Sequence, residues 1–286
     1  MRWQFGRRSD NIEDRRGMAS GGGGMAIGGG IGTIILALIA LALGVDPSIV
    51  LQQSGDLSSP PGQTSTARLN PQEQQLADFI SVVLADTEDV WHEVFREMGS
   101  TYREPKLVLF SGAVQSACGY AQSAMGPFYC PADQKVYLDL SFYQDLRDRH
   151  NAPGDFAQAY VVAHEVGHHV QTLLGISSQV NATRQRVSER QANELSVRLE
   201  LQADCFAGVW ANRAQAARQI LEQGDVEEAL NAASQIGDDR LQRQGQGYVV
   251  PDSFTHGSSQ QRMRWFTRGI KSGDLRQCDT FSTNNI

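Results

Sequence analysis

After a charged leader, hydrophobic and polar positions divide the chain into an apolar run, a polar stretch and a long region of mixed character. Residues 25–44 carry no charged side chain, and a helix of this length would span about 30 Å, the thickness of a bilayer core. Residues 45–70 are rich in Ser, Gly, Gln and Pro, a composition that predicts a disordered linker. Residues 71–286 mix apolar and polar positions as a folded domain does.

Within the third region, the spacing of apolar residues predicts both helices and strands. The predicted helices cover residues 76–98, 155–174, 182–214, 225–236 and 258–270. Residues 106–110 and 135–140 predict strands, the second at a sheet edge, with a Gly-, Ser- and Ala-rich loop between them. The chain therefore predicts an α+β fold, helix-dominated with a small sheet, preceded by one transmembrane helix.

Two local signals place the ends of the predicted helix at residues 155–174. Asp155 and Gln158 resemble a capping box after a Pro-Gly pair, and Gly175 supplies a stop.

Basic residues around the apolar run predict its orientation in a membrane. Five arginines precede the run, and the first basic residue after it is Arg68. The positive-inside rule then makes residues 1–24 a cytoplasmic leader and residues 25–44 an uncleaved anchor, with residues 71–286 outside. The alternatives are a buried helix of a soluble protein and a cleaved signal peptide. Oligomeric state stays open, although glycines in the run would permit helix pairing.

Composition narrows the classes of partner. The 286 residues carry a net charge of -7, so we expect no general attraction to nucleic acid. Hydrophobic residues make up 41% of the chain, which is ordinary for a globular protein.

The run from His164 to His168 has the spacing of a metal-binding helix. The two histidines lie one turn apart on one face, so both imidazoles can reach a single Zn²⁺ ion. Glu165 lies next to that face, placed to accept a proton from an activated water. The alternative, partnered or exposed histidines, fits poorly with the apolar neighbours Val162 and Val166, because buried polar groups need partners.

An acidic pair further along the chain is expected to supply a third metal ligand. Glu200 and Asp204 share one face of a predicted helix, and a catalytic zinc needs a third protein ligand. We expect Glu200 to complete the set and Asp204 to hydrogen-bond the far nitrogen of a ligand histidine. An exposed acidic stripe that also includes Glu194 is the alternative.

The cysteines agree with a location outside the cytoplasm. Their even number predicts disulfides in an oxidising compartment, and all four follow the apolar run: Cys118, Cys130, Cys205 and Cys278. Cys118 with Cys130 is the local choice among three possible pairings, which leaves Cys205 with Cys278. A second metal site is the alternative, and the cysteines would be free thiols if the domain faced the cytoplasm.

These motifs resemble those of the gluzincin metallopeptidases, whose third ligand is the glutamate of a downstream ExxxD. The chain is more closely similar to the neutral zinc metallopeptidase family of bacterial membrane-anchored proteins. That resemblance covers nearly the whole chain and is carried by Met1–Gln4, residues 25–44, Phe128–Pro131, Tyr137–Leu140, His164–Gln171 and Glu200–Gly208. It implies a zincin-like domain, zinc-dependent peptide hydrolysis and a place in the bacterial cytoplasmic membrane.

A further resemblance concerns His256. In integral-membrane relatives of the gluzincins, a Thr-His-Pro segment followed by an arginine comes after the ligand helix. Thr255, His256 and Arg262 repeat this spacing, with Gly257 in place of the proline. The resemblance implies that His256 polarises the substrate carbonyl or stabilises an oxyanion. A surface or helix-capping histidine is the alternative, and His169, which points away from His168, is not expected to be a ligand.

The expected function is hydrolysis of polypeptides outside the cytoplasmic membrane by a zinc metallopeptidase with Glu165 as general base. One alternative is a zinc amidase that acts on cell-wall peptides. The other is a tethered binding or scaffold protein with a structural zinc.

Overall fold

The computed structural model describes residues 1–17, 70–283 and 286. The strands in this part of the chain are β1 (Ile12–Asp14), β2 (Lys106–Phe110), β3 (Ala113–Ser116), β4 (Gly119–Gln122), β5 (Phe128–Cys130) and β6 (Lys135–Asp139). The α-helices are α1 (Pro71–Glu97), α2 (Ser141–Asp148), α3 (Asp155–Leu173), α4 (Ile176–Arg184), α5 (Glu189–Arg218), α6 (Asp225–Gln235), α7 (Asp238–Gln246) and α8 (Ser259–Ser272). The helix-dominated α+β fold is confirmed.

The first residues of the chain form part of the main sheet. Strand β1 pairs in parallel with β2, with Ile12 opposite Leu107, and Met1–Arg16 falls in one compact unit with Leu69–Ile286. Glu13 fastens this edge through an ion pair of 2.7 Å to Lys135 on β6. The structure differs here from the separate leader expected at residues 1–24, because a three-residue strand is too short to show a periodic pattern.

The predicted anchor at residues 25–44 lies outside the described residues, as does the predicted linker at 45–70 apart from Asn70. Among the helices that the structure describes, none has the length and apolar character needed to cross a bilayer.

The main sheet has the strand order β1-β2-β6-β5, in which only β5 runs antiparallel to its neighbour. The prediction that residues 135–140 form the edge is wrong, because β6 lies between β2 and β5. Its side chains Val136, Tyr137 and Leu138 are all buried, as is typical of a central parallel strand covered on both faces. Strand β5 and the β3–β4 hairpin occupy the region predicted as a loop.

The helices that carry the candidate ligands pack closely against each other. A Cβ atom on Gly167 of α3 would lie 3.1 Å from the carbonyl oxygen of Ala203 on α5, so a larger residue would push the two helices apart. The glycine inside the histidine motif therefore allows α3 to approach α5.

Helix ends follow local signals in most places. Gly175, at φ 76°, follows the end of α3 as predicted. The capping box predicted at Asp155 is wrong, since Gly154 precedes the helix without a side-chain cap. The helix predicted at residues 182–214 is two helices, because Ser188 forms a capping box with Gln191 and begins α5 there.

Both predicted disulfides are confirmed. Cys118 is bonded to Cys130 across the small hairpin, and Cys205 on α5 is bonded to Cys278 near the end of the chain. The second bond fixes the C-terminal segment to the helix that carries Glu200.

Candidate metal centre

Two helices bring together the three side chains predicted as metal ligands. His164 and His168 come from α3 and Glu200 from α5, and one ligand atom of each lies within 4.8 Å of the others. His164 Nε2 is 3.2 Å from Glu200 Oε2, and His168 Nε2 is 3.5 Å from Glu200 Oε1. Two ligands of a tetrahedral zinc, each about 2.1 Å from the ion, lie about 3.4 Å apart. The distances from Glu200 to the two histidines therefore fit a shared Zn²⁺ ion.

Hydrogen bonds to the far nitrogens fix both imidazoles. His164 Nδ1 donates to Asp204 Oδ1 at 2.9 Å, as predicted, because a carboxylate oxygen only accepts. His168 Nδ1 donates a hydrogen bond to Gln171 Oε1 at 2.9 Å, because an amide oxygen likewise only accepts. Each Nε2 then keeps its lone pair free for a metal, the tautomer that ligation requires.

A buried arginine completes the support of His164. Arg262 donates from Nε and one terminal nitrogen to the two oxygens of Asp204, both at 2.9 Å. The hydroxyl of Tyr160 donates to the same carboxylate at 2.5 Å. Burial raises the pKa of Asp204, but Arg262 and His164 outweigh it and lower that pKa to about 2. Asp204 therefore stays charged and keeps His164 in place.

The carboxylates favour positive charge at the point between the imidazoles. Burial lowers the pKa of His164, but Asp204 and Glu200 outweigh it and raise the pKa to about 9. Burial raises the pKa of Glu200, but His168 and His164 lower it well below its ordinary value. A protonated His164 carries its second proton on Nε2, and a bound cation would take the place of that proton. The donor set of two imidazoles and one carboxylate is also the set found in catalytic zinc sites.

Glu165 and the three candidate ligands line one open cleft of about 580 Å³. Glu165 is itself buried, with 8% of its surface exposed. Apolar side chains form much of the remaining wall, among them Met125, Phe128, Phe142, Ile236 and Leu241. The cleft is large enough for several residues of an extended peptide.

His256 lies at the rim of this cleft, where its side chain is half exposed. Its Nδ1 is 3.2 Å from Asp238 Oδ1, and its backbone N–H donates to Asp238 Oδ2 at 2.6 Å. The hydrogen bond that His256 donates to Asp238 outweighs burial and raises the pKa of His256. Asp238 also accepts the backbone N–H groups of Thr255 and Gly257, so the whole segment is held by one carboxylate.

His169 has a structural role, consistent with the expectation that it is not a ligand. It is fully buried, with Nε2 2.6 Å from the carbonyl oxygen of Arg103 and Nδ1 3.1 Å from the hydroxyl of Tyr129. Burial lowers its pKa to about 4.

Sequence reasoning missed several residues of the site. Gln171 follows His168 by three positions and Tyr160 precedes His164 by four, so helical spacing places both on the face of the motif. Arg262 was noted only for its spacing from His256. No pattern in the sequence pointed to Asp238, because α7 was not predicted.

Comparison with known proteins identifies the family of the chain. The family described as "Putative neutral zinc metallopeptidase" matches residues 1–281, and the chain belongs to that family. Escherichia coli YpfJ is 54% identical over 98% of this chain and 99% of its own length. Mycobacterium tuberculosis Rv2575 is 40% identical over 86% of each chain. No solved structure matches the chain.

Proposed function

We propose that the protein is a zinc-dependent peptidase that hydrolyses polypeptides in the cleft beside Glu165. The observation that carries the proposal is the convergence of His164, His168 and Glu200 on one point next to that carboxylate. Structural zinc sites usually hold the ion with four protein ligands, whereas catalytic sites use three. The cluster in the described residues has three, which favours catalysis over a scaffold role.

The chemistry divides between the metal and the residues around it. Zinc held by His164, His168 and Glu200 would lower the pKa of a water molecule and polarise the carbonyl group of a substrate. Glu165 accepts the proton of that water and returns it to the leaving amine. Asp204 and Gln171 hold the two imidazoles in the ligating tautomer. His256, fixed by Asp238 at the rim, donates a hydrogen bond to the oxygen that gains negative charge.

An extended polypeptide is the substrate that the cleft favours. Strand β5 is an outer strand of its sheet, and Phe128 and Tyr129 of this strand line the cleft. An outer strand offers unpaired backbone groups that accept another strand. We therefore place the substrate backbone along β5, with its side chains against the apolar wall.

Cleavage of an unfolded protein by the full chain tests the proposal, with wild type beside Glu165→Gln. The full chain is needed because β1 belongs to the fold. Glu194→Gln is the matched control, since Glu194 is an exposed glutamate outside the cleft. We expect cleavage that a zinc chelator stops, that Glu165→Gln lowers by about 100-fold or more, and that Glu194→Gln leaves unchanged.

Two other results would separate the competing functions. Hydrolysis of purified cell-wall material but not of unfolded protein would favour the zinc amidase. Full activity in Glu165→Gln would show that another group is the base.

We also propose that the catalytic domain lies outside the cytoplasm. Its two disulfides support this location, because such bonds persist in oxidising compartments. Residues 1–16 must share that compartment, since β1 pairs with β2. A single membrane crossing between residues 17 and 69 would separate the two, so the predicted orientation with a cytoplasmic N-terminus is not part of this proposal.

Thiol labelling in intact cells tests this location. Gln4 and Ser100 are both exposed, so Gln4→Cys and Ser100→Cys should react equally with a reagent that does not cross membranes. Labelling of Ser100→Cys alone would mean that the two parts lie on opposite sides.

A further inference from the structure

The α-amino group of Met1 is buried among carboxylates at the start of helix α3. Its nitrogen is 2.5 Å from Asp155 Oδ1, 3.3 Å from Glu222 Oε2 and 3.4 Å from Asp225 Oδ1. Met1 is 4% exposed, and its side chain packs in the main hydrophobic core. Both the charge and the side chain of this residue therefore have defined partners.

We call this group of carboxylates the ammonium socket; it consists of Asp155, Glu222, Asp225 and Glu228. The socket lies where the N-termini of two helices meet. Asp155 is the first residue of α3, the helix of His164 and His168, and Asp225 is the first residue of α6. Helix N-termini carry unpaired N–H groups and partial positive charge, which stabilise nearby carboxylates. Glu228 accepts a hydrogen bond from one of these N–H groups, that of Phe156, at 3.1 Å.

The ammonium group balances charges that would otherwise repel. Oxygens of Asp155, Asp225 and Glu228 lie within 4.8 Å of one another. Among the described residues, Met1 is the cation that forms ion pairs with Asp155 and Asp225, and Arg2 reaches only Glu222, at 4.0 Å. Without the charge of Met1, the socket would hold a cluster of carboxylates with no counter-ion at its centre.

We propose that the socket is a binding site for a free α-ammonium group, and that Met1 occupies it only when its nitrogen is unmodified. A formyl or acetyl group would remove the positive charge and add atoms where Asp155 lies 2.5 Å away. On a formylated chain, water must first hydrolyse the bond between the formyl carbon and the Met1 nitrogen. Formate leaves, and the freed amine takes up a proton. The start of the metal helix is thereby linked to the chemical state of Met1.

The first test measures the reactivity of Met1 in the unsubstituted full chain. An acylating reagent in limiting amount near pH 7 normally favours α-amines, whose ordinary pKa is below that of lysine. Peptide mapping by mass spectrometry compares acylation of Met1 in the folded and urea-unfolded chain. We expect about tenfold or slower acylation in the folded chain, because burial excludes the reagent and the ion pairs keep the amine protonated. Equal rates would overturn the proposal.

The second test displaces the amine by adding Gly-Ser before Met1, with the same two residues added after Ile286 as control. The thermal midpoint of the metal-free chain is measured, together with zinc bound per chain. We expect the front extension to lower the midpoint by about 5 °C or more and the rear extension to leave it unchanged. An unchanged midpoint in both chains would contradict the proposal.

Asp225→Asn in both backgrounds separates ion pairing from general packing. In the unextended chain the substitution removes a partner of Met1 and should lower the midpoint. In the front-extended chain it relieves repulsion and should raise the midpoint or leave it unchanged. The substitution affects the hydrogen bond from the Glu222 backbone N–H to Asp225 in both backgrounds, so this effect cancels when the two changes in midpoint are compared. Equal losses in the two backgrounds would overturn the proposal, and the acylation rates decide alone if the extended chain fails to fold.

Discussion

Replacement of Asp204 by asparagine should lower both the stability of the fold and the affinity for zinc. The first effect comes from the contact of Asp204 with Arg262, and the second from its contact with His164. Asp204 is fully buried and accepts from Arg262, from Tyr160 and from His164 Nδ1. Asp204→Asn keeps the size of the side chain but removes its charge. Arg262, with 2% of its surface exposed, then keeps a positive charge in the core without its carboxylate partner.

The magnitude follows from the burial of this pair. Removal of one member of a buried ion pair costs about 3–5 kcal/mol, much more than loss of an exposed pair. Loss of the hydrogen bond to a ligand histidine lowers metal affinity about 10- to 100-fold. We expect both effects in Asp204→Asn, with the stability loss present even in the metal-free chain.

Urea unfolding of the metal-free chain and chelator competition for zinc measure the two effects. Asp148→Asn is the matched control, because Asp148 is exposed and pairs with Arg147 at the surface, and its unfolding midpoint should not change. The double variant Asp204→Leu/Arg262→Met should recover most of the stability but not the zinc affinity, since an apolar pair can replace a buried ion pair. A loss below about 1 kcal/mol in Asp204→Asn would refute this reasoning.

Three further predictions concern the ligands, the cross-links and the N-terminus. Glu200→Gln should lower zinc bound per chain at limiting metal, whereas Glu194→Gln on the same helix should not; equal zinc would remove Glu200 from the ligand set. Cys205→Ser/Cys278→Ser opens a 73-residue connection and should cost about 4 kcal/mol, against about 3 kcal/mol for Cys118→Ser/Cys130→Ser with its 12-residue connection; urea unfolding would contradict this if the order were reversed. Burial lowers the pKa of the Met1 amine, but the hydrogen bond and charge of Asp155 outweigh it and raise the pKa above 8.0. The stability from this group is therefore full below about pH 8 and lost as pH rises through the raised value. The stability gap between the native and front-extended chains should close above that pH, and a gap that widens would contradict the assignment.

Local patterns predicted the parts of the site that lie on helices. The four-residue spacing of His164 and His168, and of Glu200 and Asp204, is read directly from the sequence, because residues four apart share a helix face. The two disulfides were also foreseen, although sequence alone left three pairings open. The long helices were found because their apolar periodicity extends over many residues, and strands β2 and β6 because each contains a continuous run of apolar residues.

Contacts between distant parts of the chain were not predictable in the same way. The pairing of β1 with β2 joins Ile12 to Leu107, and a three-residue strand gives no periodic signal. The sheet order that makes β5 rather than β6 an edge also depends on tertiary packing. Asp238 supports His256 from a short helix whose exposed, highly polar sequence shows little apolar stripe. Each of these contacts depends on the tertiary fold and leaves no signal in the neighbouring sequence.

The placement of Met1 has a consequence for the order in which the chain folds. The first residue leaves the ribosome well before its partner Asp225, which lies 224 positions further along. Contacts between residues so far apart form late, because a long loop must close before they stabilise anything. We therefore expect helices α3 and α5 to form before Met1 and β1 reach their positions. Met1 can pair with Asp225 only after all the residues between them have been synthesised.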